Sequence, residues 1–381
     1  ELWYEIDDCQ DYDIVKAMFA PSTHERLELF HKRFGGYWRF GNIKDYCYLV
    51  NPYFPTEAMI NKMKYFYDKL LFNYPSGQSI ERICACRMFD NVSDDNILIG
   101  NGAAELINNL KYIVGKKIAL TIPSFNEYVR CFPNSEITYI NSKDDNYRLS
   151  LNKLKETLNK VDTLIVISPD NPSGSHLKYG EVIELLDISK KMNKQIIFDE
   201  SFIDFANNSY TLIDDDILNK YPNLIVIIII MRRISLSRGK RPKWMSYGVP
   251  GLRLGVLASG NNKYLDIINR NMPVWNINSF AEYFLQIFLI YKKDYVKGCK
   301  KIKEERNRFY NELIKISELD VYDSEANYFM IKLNKSTANE IAEYLLDNNK
   351  ILIKVLNGKN GFDDKEYIRI AVKTKEENDY F

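Results

Sequence analysis

From about residue 95 the chain alternates short apolar runs with amphipathic stretches. Ile97–Ile99, Lys117–Ile122, Ile137–Ile140, Thr163–Ile167, Gln195–Phe198, Leu224–Met231 and Leu254–Ala258 read as strands. Helical periodicity starts near Ala103 and returns at Leu151–Leu158, Tyr179–Met192 and Leu212–Asn219. Strands covered on both faces are continuous apolar runs, and their alternation with helices predicts a parallel sheet. Two long helical patterns follow, at about 279–292 and 294–317. Then come Ala326–Leu333 (strand), Ala338–Asn348 (helix), Ile351–Val355 and Tyr367–Val372 (strands). The prediction is an α/β fold, with a mostly parallel central sheet between helices and a smaller α+β C-terminal domain.

Length and charge narrow the classes. At 381 residues the chain has room for two domains and part of a third. Apolar residues at 46% and charged residues at 27% exclude a disordered chain. With 52 basic and 51 acidic residues there is no net field to attract nucleic acid or an anionic membrane. The longest apolar run, Leu224–Met231, is far short of the roughly 20 residues a spanning helix needs. With no signal peptide visible, a cytoplasmic location is expected. Six scattered cysteines argue against a disulfide framework, and Cys84 and Cys86 have no second pair to complete a metal site. His24, His31 and His176 stand apart, which leaves histidine-based metal or triad chemistry without a footing.

Sites in open α/β sheets form at the carboxyl ends of strands. Gly100-Asn101-Gly102-Ala103-Ala104-Glu105 follows the first strand and opens a helix, a place where free amides suit a phosphate. Ser168-Pro169-Asp170-Asn171-Pro172-Ser173-Gly174 follows the fourth, and Asp199-Glu200-Ser201-Phe202 the fifth. A carboxylate ending a buried strand is costly unless paired. Gly248-Val249-Pro250-Gly251-Leu252-Arg253 precedes Leu254–Ala258, and its arginine could grip a phosphate bidentately. Singly, each has a plain alternative: a turn, a helix cap, a core ring, a surface arginine. Their order along the chain is the informative feature.

That order resembles the fold type I pyridoxal-phosphate enzymes, specifically class I/II aminotransferases close to histidinol-phosphate aminotransferase and threonine-phosphate decarboxylase. The resemblance spans about residues 45–375. It implies pyridoxal 5'-phosphate as cofactor. Gly102, Ala103 and Ala104 match the turn that holds the cofactor phosphate, Arg253 the arginine that clamps it, and Tyr74 the tyrosine that reaches the phosphate of a neighbouring subunit. Phe125 matches the aromatic that stacks on the pyridine ring, Asn171 the asparagine at its hydroxyl, and Asp199 the aspartate at its nitrogen. Arg369 matches the arginine for the substrate's acidic group, and Asn51-Pro52-Tyr53 the substrate-side loop. The resemblance implies a homodimer, amine or amino-acid and oxo-acid substrates, and transamination of a compound carrying phosphate or phosphonate. The alternatives are decarboxylation of the threonine-phosphate type, or a binding domain without catalysis.

Two positions depart from the family. Phe202 stands where a tyrosine is common. More seriously, the lysine that bonds the cofactor should lie eight residues before Arg253, where this chain has Met245. Ser235-Leu236-Ser237-Arg238 carries arginine in the lysine's place, and the segment from Asn223 to Ser246 is about a dozen residues too long. Methionine cannot form the bond, and arginine stays protonated. Three explanations rank in this order: an error in the sequence over 228–245, a true insertion with Lys243 or Lys240 as substitute, or lost transamination. Lys243 is the candidate catalytic residue.

At the amino end, Glu5 and Asp7 alternate, as on one face of a strand, and two hard carboxylates suit a nucleotide-bound Mg²⁺. The stretch resembles the last catalytic strand of a sugar-phosphate nucleotidyltransferase, a domain found fused upstream of such aminotransferases. The expected organisation is 1–21 as a remnant of that domain, 22–48 as a bridge packing across a dimer, 49–290 as the large cofactor domain and 291–381 as the small domain. Glu1 suggests a missing upstream end. The absence of a closing helix pattern before Phe381 suggests a cut downstream end.

Overall fold

The computed structural model describes residues 4–33, 35–40, 42–229, 249–363 and 365–381. Its central sheet has seven strands in the order Ile97–Asn101, Leu254–Ala258, Leu224–Ile229, Gln195–Asp199, Thr163–Ile167, Lys117–Ile122, Glu136–Asn141. All run parallel except Leu254–Ala258, which is antiparallel to both neighbours. The continuous apolar runs have their cause here. Thr163–Ile167, Gln195–Asp199 and Leu254–Ala258 are buried at every position, because helices cover both faces. One core lies on each face: Leu164, Val166, Ile196 and Phe198 point to one, Ile165, Ile167 and Ile197 to the other.

The C-terminal unit is a four-stranded antiparallel sheet in the order Lys354–Val355, Glu366–Ala371, Tyr328–Leu333, Leu319–Val321. The predicted strand Ile351–Val355 divides, since Ile351–Leu352 turns away to pair in parallel with Lys44–Asp45. The two predicted helices of 279–317 are one, Ser279–Leu313, of 35 residues. No proline falls within it, and its one glycine, Gly298, is buried against Asn51 and Tyr53; with Tyr295 buried as well, the polar turn Lys292-Lys293-Asp294 marks an outer face and not a break. This helix serves two cores. Phe284, Phe288 and Ile302 enter that of the large sheet, and Phe309 and Leu313 that of the small one. The expected domain boundary at 290/291 falls inside it.

Two expectations for the ends are corrected, and the 22–48 segment is located. Glu5 and Asp7 lie on no strand; both are exposed, just ahead of the helix Cys9–Met18. Asp8 caps that helix, accepting from the amides of Gln10 and Asp11 at 2.6 and 2.9 Å, while Asp11 accepts back from Asp8 N at 3.3 Å. The acidic run is thus a reciprocal helix cap. Among the described residues no cluster of three or more His, Cys, Asp or Glu could hold a metal. Next, the 22–48 segment packs within its own chain. Leu27, Phe30, Tyr37, Phe40 and Tyr46 share a core with Phe329, Ile331 and Ile370 of the small sheet and Leu346 of the helix Ala338–Asn349. Last, the chain does close on a helix, Lys375–Tyr380, capped by Thr374 and Glu377. The signal was Thr374-x-x-Glu377, in a segment too short to show periodicity.

One buried acid stands out. Glu81, on the helix Gln78–Cys86, is fully covered, and neither carboxylate oxygen has a hydrogen-bond partner among the described residues. Burial, with Glu282 and Glu105 nearby, pushes its carboxyl up to about 7.

Two stability measurements check these points. Phe30 is 2% exposed and makes edge contacts with Phe40 and Tyr37, so Phe30→Ala should cost about 3–5 kcal/mol in urea unfolding. Unchanged stability would mean that the N-terminal segment is not part of this core. Glu81 is protonated in both folded and unfolded chains below about pH 4.5, and must ionise inside the fold above about 7. Stability should therefore fall as pH rises between those values, and Glu81→Gln should regain about 1–3 kcal/mol at pH 8 but little at pH 4. Equal gains at both pH values would contradict this assignment.

Candidate active site at the carboxyl rim of the sheet

Gly102, Phe125, Asn171 and Asp199 all follow or end parallel strands, and so leave the sheet at one rim. Arg253 reaches that rim from the opposite direction. Its strand runs antiparallel, so the strand's first residue stands where the others end, with Leu254 in register with Asn101. Gly102 has φ +74°, and a Cβ there would lie 3.3 Å from the guanidinium carbon of Arg253. Both the backbone conformation and the space favour glycine. The helix Gly102–Asn109 presents the amides of Ala103 and Ala104 at its start. Arg253 donates to Asn101 O at 3.4 Å. A cavity of about 480 Å³ opens here, lined by Asn101, Ala104, Asn108, Arg130 and Arg253.

Asp199 is buried at the end of the central strand Gln195–Asp199. Tyr128 Oη donates to its Oδ2 at 2.7 Å and Ser201 N to its Oδ1 at 2.8 Å. No cation is among these partners, so burial raises the carboxyl above its usual range while the two donors oppose the shift. Tyr128 was missed in the sequence. It follows Phe125 by three residues, and the helix Asn126–Cys131 turns it inward while Phe125, at the N-cap, stays 38% exposed.

Asn171 and Arg369 meet. Arg369 Nη1 donates to Asn171 Oδ1 at 2.7 Å and Nη2 to Cys47 O at 2.8 Å, and the guanidinium lies over the Tyr328 ring at 5.5 Å. Its Nε, though buried, has no partner among the described residues. Tyr328 donates its own hydroxyl to Asp170 O at 2.6 Å, and Phe202 packs edge-on against its ring.

The remaining candidates are placed otherwise. Asn51 is buried, with Nδ2 on Cys299 Sγ at 3.3 Å and Oδ1 accepting from Tyr53 N at 2.9 Å; the amide is occupied in shaping its own loop against the long helix. Tyr74 is 78% exposed and stacks on Trp275 with centroids 4.4 Å apart. Lys243, Lys240 and Met245 lie outside the described residues. A supporting layer went unseen in the sequence. Gln78 accepts from Ile99 N and donates to Ile99 O, and Asn276 donates to Ile99 O and to Glu105, which accepts from Asn101 N at 2.6 Å. These amides hold the end of the first strand, and with it the Gly102 turn.

Residues 46–381 match the family Aminotransferase class I and II, and the chain belongs to it. It is 33% identical to L-serine phosphate decarboxylase Cj1436c of Campylobacter jejuni over 89% of its length and 87% of that protein. It is 26% identical to CMP-5'-(3-aminopropyl)phosphonate synthase of Streptomyces rubellomurinus over 99% of its length, but spans only 58% of that relative. The solved structure of a decarboxylase from Sulfurospirillum multivorans superimposes with a TM-score of 0.74 at 30% identity, covering 93% of this chain and 96% of that one. The family is pyridoxal-phosphate-dependent, and the rim fits such a group. Among the described residues it offers a glycine cradle beside an arginine, a buried carboxyl without a cation, a partly exposed aromatic ring, and a buried guanidinium Nε without a partner.

Proposed function

We propose that the chain acts on the α-carbon of an amino acid bearing a phosphate or phosphonate group, and that it releases the carboxylate as carbon dioxide. Arg369 carries the reading: a half-buried guanidinium, steadied by Asn171, Cys47 O and the Tyr328 ring, with Nε lacking a partner among the described residues and left for an anion at the rim. The relatives named for serine phosphate and for an aminopropylphosphonate support this substrate class. Transamination is the second reading, and the family match favours it.

Bound pyridoxal phosphate supplies an electron sink for the bond broken at the α-carbon. The chain's own groups hold it in place. The Gly102–Ala104 amides and Arg253 bind the phosphate dianion, and Phe125 covers one ring face. Asn171, whose oxygen is taken by Arg369, donates through Nδ2 to the ring hydroxyl. Asp199 would hold a proton on the ring nitrogen, and a cation there would draw its raised carboxyl back towards the ionised form. A lysine amine would anchor the cofactor and return a proton to the α-carbon. Since Met245 holds the family position, Lys243 is the substitute this chain offers. The exposed Phe72, Tyr74, Val274 and Trp275 form the face of a homodimer, through which Tyr74 reaches the partner's phosphate site.

Product analysis tests the reaction. With O-phospho-L-serine, the Met245→Lys chain should yield ethanolamine phosphate and carbon dioxide, whereas an oxo acid formed only with 2-oxoglutarate present would establish transamination. The chain as given should show little covalently bound cofactor by visible absorbance. A strong band abolished by Lys243→Ala would make Lys243 the bonding lysine. Trp275→Glu should shift sedimentation from dimer to monomer, and an unchanged sedimentation coefficient would place the interface elsewhere.

A further inference from the structure

Residues 356–363 form a strap from the small sheet to the rim. Leu356 is buried at its start. At its end Phe362 stacks on Tyr367, and Asp363 pairs with Lys143 at 3.5 Å and accepts from Tyr367 Oη at 3.1 Å. Gly361, at φ +99°, lies against the chain entering Pro123, where a Cβ would come within 2.5 Å of Pro123 N. This close seat delivers Lys359 beside Phe125. Lys359 Nζ donates to Ser124 O at 2.9 Å and to Asn126 Oδ1 at 3.1 Å, the residues on either side of the aromatic. Both tethers are neutral. Lys359 and Phe125 line one cavity of about 260 Å³ with Arg130 and Asn360.

Among the described residues, neither Lys359 nor Arg369 forms an ion pair with a carboxylate. Asp170, the acid whose charge acts on Lys359, is turned to Ser173 at 2.7 Å. Burial and the charge of Arg369 push the Lys359 ammonium down to about 8, with Lys354 adding to the shift and Asp170 opposing it. A largely buried cation without a carboxylate partner is relieved by a bound anion.

We propose that Lys359 is a second anion-binding arm of this site: Arg369 takes the carboxylate of the substrate, and Lys359 takes its phosphate or phosphonate. The division suits the two groups. A planar guanidinium matches a carboxylate, and an ammonium on a flexible stem meets a phosphate as a point charge. The inference rests on the proposed substrate class and names the residue that selects it.

Calorimetric titration of the holoenzyme with O-phospho-L-serine and with L-serine tests this without turnover. Wild type should prefer the phosphorylated ligand. Lys359→Gln should weaken O-phospho-L-serine at least about tenfold, the scale of one lost charge-assisted contact, while L-serine binding holds within about twofold. Lys359→Arg should recover most of the loss. Where Lys359→Gln does not fold, Lys359→Met keeps the stem, drops the charge and gives the same readout. Equal weakening of both ligands, or of neither, overturns the assignment of Lys359. A wild type without preference for the phosphorylated ligand overturns the proposed substrate class instead.

Discussion

The arrangement depends on a carboxyl group buried without a cation among the described residues. Asp199 ends the strand at the middle of the seven-stranded sheet, where both faces are covered and water is excluded. An ionised group there needs compensation that neither a tyrosine hydroxyl nor one amide fully supplies. In the proposed reading, a ligand with a positive ring nitrogen would complete the balance. The Gly102 turn and Arg253, the exposed Phe125, and Asn171 bonded to Arg369 stand at the same rim.

Much of this was legible in the chain. Gly102, Phe125, Asn171 and Asp199 each stand within a few residues of an apolar run, and one topological rule sends all of them to the same rim. Arg253 was readable only through its family motif, because nothing in its local pattern says that Leu254–Ala258 runs backwards. What stayed hidden was long-range. The Arg369–Asn171 bond joins positions 198 residues apart, and the Tyr128–Asp199 bond joins positions 71 apart. Lys359 sits in a polar loop whose composition resembles any surface turn.

The errors have physical causes as well. Glu5, Asp7, Asp8 and Asp11 satisfy a two-residue alternation and a helix-capping pattern at once, and in so short a segment the cap prevailed because it satisfies amides otherwise left open. The long helix was divided because a polar turn was read as an end, although no breaker residue stood there. Asn51 keeps the expected place in its loop, but its amide is engaged with Cys299 and Tyr53.

The unbroken helix Ser279–Leu313 also has a mechanical meaning. At 1.5 Å per residue it is a rod of about 50 Å with one end embedded under the large sheet and the other under the small one. A rod clamped at both ends transmits tilt more readily than sliding. Small adjustments where Phe284 and Phe288 pack are therefore magnified at the far end, beneath the sheet that carries Arg369. The sheet that ends in Asp199 and the sheet that carries Arg369 are thus joined by one lever, whose stiffness bears on how closely their facing edges meet.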